Sequence, residues 1–153
     1  MLQETKSNST TINSLIPRLW RGSQCISVDS IGASGCLTIS WNPLEVELDH
    51  FLATRCSISA NFHILGTAVH RRITNVYGPQ HPIQKIAFLD FLQWLVNDQP
   101  TDIDILGGDF NLITSLQDRK GGRRLLSPED NSFKDFIGDN GLIDLQSNND
   151  IHT

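Results

Sequence analysis

The chain has 153 residues, 39% of them hydrophobic, which is enough for one domain spanning 1–153 with its own core. Its formal net charge of -5 excludes a protein that grips nucleic acid through a generally basic surface, and no apolar run reaches the length of a membrane span. Met1-Leu2-Gln3-Glu4-Thr5-Lys6 lacks the apolar centre of a signal peptide, so the expectation is an intracellular protein, nuclear or cytoplasmic, with no membrane contact. Cys25, Cys36 and Cys56 are odd in number and lack metal-type spacing, which argues against a disulfide partner or a zinc site.

Residues 7–14 are polar and rich in serine and threonine, and read as a loop. Cys36-Leu37-Thr38-Ile39-Ser40-Trp41, closed by Asn42-Pro43, reads as a strand and turn. Ile58, Ala60, Phe62 and Ile64 alternate with polar neighbours, the period of a half-buried strand. A second strand over 67–77 follows the turn at Gly66 and ends at Gly78-Pro79, making an antiparallel pair the simplest arrangement. After Pro82 the spacing of Phe88, Phe91, Leu92 and Leu95 predicts a helix. Ile103, Ile105 and Leu106 predict a short buried strand that stops at Gly107-Gly108. Ser127 as N-cap, Pro128 at the first position and Glu129 and Asp130 in the first turn announce another helix, ended by Gly141. Residues 142–145 read as one more strand, and the whole as a mixed α/β or α+β domain.

The sharpest local feature is Gly107-Gly108-Asp109-Phe110-Asn111. A strand that delivers a carboxylate and a carboxamide two residues apart can point both to one side, where Asp109 can take the proton of a water that Asn111 helps to orient. The same residues also make an ordinary Asx turn. Three other stretches change the weight of the motif: Leu2-Gln3-Glu4-Thr5, Gly32-Ala33-Ser34-Gly35-Cys36 leading to Trp41, and Asn75-Val76-Tyr77-Gly78-Pro79.

In this order and at these intervals the motifs resemble the endonuclease/exonuclease/phosphatase superfamily, which includes DNase I and the apurinic-site endonucleases. The resemblance is closest to the endonuclease domain of plant-type non-LTR retrotransposons. It implies a DNase I-like two-sheet sandwich flanked by helices and phosphodiester hydrolysis in DNA with magnesium or manganese. By the matching motifs Glu4 is a metal ligand, Tyr77 hydrogen-bonds the phosphate, Asp109 positions or deprotonates the nucleophile and Asn111 orients the same water or phosphate. Two positions depart from the pattern: Cys36 replaces a glycine, and Gln80 stands where apurinic-site relatives often have Asn. The five histidines match no catalytic context and read as structural or surface residues.

The family's first motif, a strand with an Asn that precedes Leu-Gln-Glu-Thr, and its last, Ser-Asp-His, do not occur in the 153 residues. The expectation is therefore a domain truncated at both ends, a remnant that is inactive as this fragment. Two rival readings stay open, a non-catalytic module that binds nucleic acid or protein, and a phosphatase of the same superfamily. Downstream of the site, Arg119, Lys120, Arg123 and Arg124 form a basic, glycine-containing loop, which is either a contact for DNA phosphates or a solvated surface loop.

Overall fold

The structure, a computed structural model, describes residues 1–3, 5–29, 36–98, 101–118 and 125–145. Its elements in chain order are α1 (Ser9–Leu19), β1 (Gln24–Asp29), β2 (Cys36–Trp41), β3 (Val46–Ala53), β4 (Ser57–Ile64), β5 (His70–Tyr77), α2 (Pro82–Asp98), β6 (Ile103–Asp109), a short 3-10 turn (Leu116–Asp118) and α3 (Pro128–Asp139).

The strands make two sheets. β1 and β2 pair antiparallel, and β2 also bridges Leu2, whose N–H and carbonyl both bond Thr38 at 2.9 Å. The larger sheet has the order β3-β4-β5-β6, antiparallel except for β5 and β6, which are parallel because α2 carries the chain back between them. Side-chain alternation then decides the layers. Leu37, Ile39 and Trp41 of β2 meet Ile58, Ala60 and Phe62 of β4 in a core between the sheets. Val76, on the opposite face of the larger sheet, packs with Phe88, Leu89 and Leu92 of α2 and Phe133 and Phe136 of α3. Cys36, of opposite parity to Leu37, packs with Ile12 and Ile16 of α1. The result is helix, sheet, sheet, helices, a mixed α/β sandwich as the sequence predicts.

Several expectations are corrected. Residues 7–14, expected as a loop, run into α1, whose N-cap Asn8 accepts a hydrogen bond from the Thr11 N–H at 2.8 Å. Its polar composition is overridden because Ile12 and Ile16, one turn apart, bury against the small sheet, and because Asp29 accepts from the Ser9 N–H at 2.7 Å. β1 and β3 were not anticipated: β3 is an edge strand with a register shift between Leu48 and His50, and its mostly exposed side chains carry no clean alternation. The strand expected over 67–77 begins only at His70. Residues 142–145, expected as a strand, are not one, and Ile143 and Leu145 stand 84% and 85% exposed.

The three cysteines are free, and burial pushes the Cys25 and Cys56 thiols up, so both resist forming the reactive thiolate. Among the described residues no helix is long and apolar enough to cross a membrane.

Candidate active site

β5 and β6 run in register from Arg71 opposite Ile103 to Tyr77 opposite Asp109, so the two strands deliver these last residues side by side at one end of the sheet. One further bond, from the Gly78 N–H to the Asp109 carbonyl at 2.7 Å, carries the pairing beyond β5. Two glycines make the closure possible. Gly108 has φ +135, and a Cβ on it would lie 2.0 Å from the Val76 oxygen; a Cβ on Gly78 would lie 2.0 Å from the Phe110 oxygen. Gly108 and Gly78 are thus demanded by backbone meeting backbone, whereas a Cβ on Gly107 would meet only the Met1 side chain.

The chain then turns sharply at Asn111, which has φ 52, a left-handed conformation that asparagine tolerates better than most residues. Its N–H donates to Asp109 Oδ1 at 2.8 Å and its Nδ2 to the Gly78 carbonyl at 2.7 Å. Lys85 Nζ, reaching from α2, donates to the Asn111 carbonyl. Phe110 lies 5.0 Å from Phe133, ring centroid to ring centroid, which roots the turn in the helix-side core. The Asx turn and the site are therefore the same object: Oδ1 of the Asp109 carboxylate makes the turn, and Oδ2 has no hydrogen-bond partner among the described residues. Asp109 is exposed, while Tyr77 and Asn111 are half-buried.

Of the residues expected at the site, Tyr77, Asp109 and Asn111 are brought together. Glu4 lies outside the described residues, as do Arg119, Lys120, Arg123 and Arg124. The neighbours of Glu4 in sequence are anchored: Gln3 Oε1 accepts from the Asp109 N–H at 3.1 Å, and Thr5 Oγ1 accepts from the Cys36 N–H at 3.1 Å. Three participants escaped sequence reasoning. Lys85 belongs to no motif, and Gln3 and Asn75 stand in the 2–5 and 75–79 stretches with no role attached. The signal for Asn75 was an amide at a position that its strand's alternation assigns to the inter-sheet core.

The side chains gathered here offer oxygen donors, the ligands that suit hard divalent cations. Among the described residues, no three His, Cys, Asp or Glu side chains stand together as a metal site. At the start of α3 the Glu129 carboxyl is held below its ordinary value, chiefly by hydrogen bonds from the backbone and Ser127, with Lys85 adding its charge.

No family model and no curated protein matches the sequence. Solved structures do match. An endonuclease/exonuclease/phosphatase family protein from Bacteroides thetaiotaomicron superposes with a TM-score of 0.59 at 11% identity, over 82% of this chain and 50% of that one. ANGEL2, a 2',3'-cyclic phosphatase solved with adenosine-2',3'-vanadate, gives 0.56 at 16% identity, over 73% of this chain and 39% of that one. The chain thus spans half or less of the length of these structures. With two sheets face to face, helices outside them and its candidate site at the ends of β5 and β6, the chain has the fold of the endonuclease/exonuclease/phosphatase proteins.

Proposed function

We propose that the chain carries the water-activating part of a magnesium- or manganese-dependent phosphodiesterase that nicks DNA, of the kind found in non-LTR retrotransposons, and that the isolated 153-residue chain does not complete the reaction. The observation that supports this most directly is the pairing of Tyr77 with Asp109 at the strand ends, cross-linked by Asn111. Asp109 Oδ2 accepts the proton of the attacking water while Oδ1 stays in the turn. The Tyr77 hydroxyl donates to a phosphate oxygen, and Asn111 Oδ1 orients the water. Glu4 would serve as metal ligand. A bound divalent ion would neutralise charge on the phosphorane-like transition state. Arg119, Lys120, Arg123 and Arg124 would supply cations for DNA phosphates. That ANGEL2, on the same fold, acts on a cyclic phosphate supports phosphoester chemistry as the class.

The test compares nicking of supercoiled DNA by the 153-residue chain and by a chimera that adds an Asn-bearing strand and a Ser-Asp-His segment from a relative. The chain alone should be inert. The chimera should nick with magnesium, stop in EDTA, and lose at least about a thousandfold in rate on Asp109→Asn. A folded chimera that stays inert sinks the nuclease reading and favours the non-catalytic module, and one that cleaves only small phosphate esters favours the phosphatase.

A further inference from the structure

Asn75 is fully buried between the two sheets, and its Nδ2 donates to the Leu2 carbonyl at 2.8 Å and to the Thr38 carbonyl at 3.0 Å. Its Oδ1 is buried and has no partner among the described residues. An amide in such a core is a costlier filler than a leucine, because its polar atoms leave water on burial. What the amide does achieve is a three-way junction. It joins β5, β2 and the Leu2 segment at one point, on top of the two backbone bonds between Leu2 and Thr38.

Directly after that junction comes Gln3, whose Oε1 takes the Asp109 N–H, a link across 106 positions of sequence. The Asp109 backbone is thereby held on both sides, its N–H by Gln3 and its carbonyl by the Gly78 N–H. A single partly exposed hydrogen bond adds little to global stability, so its consequence is orientation. We propose that Gln3, clamped through Leu2 by Asn75, is a positioning residue that fixes the direction in which Asp109 presents Oδ2. The inference rests on the reading of Asp109 as the group that takes a proton from water, and it adds residues that no motif assigned a role.

The test uses the isotopically labelled 153-residue chain and two variants. Gln3→Met keeps the length and removes the acceptor; Gln3→Glu keeps an acceptor oxygen. In Gln3→Met the Asp109 amide should exchange about five- to tenfold faster, as the loss of one hydrogen bond implies. The three-bond couplings that report χ1 of Asp109 should move toward a rotamer average, while the Tm changes by less than about 3 °C. Gln3→Glu should restore the exchange rate and the single rotamer. Asn75→Leu should loosen Asp109 in the same way; if that variant does not fold, Gln3→Met decides alone. An Asp109 rotamer and amide exchange rate unmoved in Gln3→Met overturn the proposal, and so does a disturbance that comes with a general loss of Tm and is not rescued by Gln3→Glu. None of these measurements depends on turnover, whereas Asp109→Asn in the nicking assay judges the phosphodiesterase reading, so the two can fail separately.

Discussion

Asn111 Nδ2 donates to the Gly78 carbonyl at 2.7 Å, which ties the turn after β6 to the chain leaving β5. The bond fixes the spacing between Asp109 and Tyr77 independently of anything bound there, because both of its ends lie one or two residues beyond the paired strand ends.

Asn111→Ala should therefore destabilise twice over. It removes the bond to Gly78 and places an alanine at φ 52. Together these should cost about 2–3 kcal/mol. Asn111→Gly, which relaxes the backbone but still loses the bond, should cost about 1 kcal/mol. Urea unfolding of the two variants checks the order; equal losses would show that the left-handed turn carries no strain.

Gly108→Ala should be the most damaging small substitution at the site. Its Cβ would lie 2.0 Å from the Val76 oxygen, and φ +135 is foreign to alanine. A cost of at least about 3 kcal/mol is expected, since neither backbone can retreat without breaking the β5–β6 pairing. Circular dichroism melts measure it, and a variant as stable as the parent would refute the close approach. By contrast Gly138→Ala, where a Cβ meets nothing within 4 Å, should be neutral or stabilising.

Asp130 supports the site from behind. It is 2% exposed; Oδ2 accepts from Ser127 N at 3.1 Å and Ser127 Oγ at 2.9 Å, closing a capping box, and Oδ1 accepts from Ile113 N at 3.2 Å. Asp130→Ala should cost about 2–4 kcal/mol, because it removes a helix cap and leaves a half-buried N–H two residues beyond Asn111 unbonded. Asp130→Asn should recover part of the loss. Thermal unfolding with amide exchange at Ile113 separates the two contributions.

Asp49 gives a pH test far from the site. Burial raises its carboxyl, but hydrogen bonds and charge from His63 at 2.7 Å and His70 at 3.3 Å outweigh that and hold it below 3.8. A carboxyl lowered by folding contributes stability that is present above its unfolded value and lost as pH falls through the folded one. The parent should thus hold an advantage over Asp49→Asn near pH 5 that fades once pH drops below 3.8. Melting curves between pH 6 and pH 2 measure it; a constant gap across that range would mean that the histidines do not favour the ionised form.

Much of the larger sheet was legible in the sequence. Ile58, Ala60 and Phe62 announced β4 by alternation, Phe88, Leu92 and Leu95 announced α2 by helical spacing, and Ser127-Pro128 announced the start of α3. These signals are local, since periodicity and capping depend on residues within a turn or two of each other. The residue types at the site were legible for the same reason, since Asp109 and Asn111 are close in sequence, but Gly107 and Gly108, expected to end the strand, lie inside β6 and the sharp turn falls at Asn111.

Sequence could not supply what depends on distant partners. α1 hides in a serine- and threonine-rich stretch because its stability comes from Ile12 and Ile16 packing on Cys36. β3 hides because an edge strand needs no second apolar face. Only the tertiary structure set Tyr77 beside Asp109 and turned Asn75 from one more strand residue into the junction that fixes Leu2. Register and hydrogen bonds across 73 and 106 positions arise only when separate strands meet, and no pattern within a single segment encodes where its partner lies.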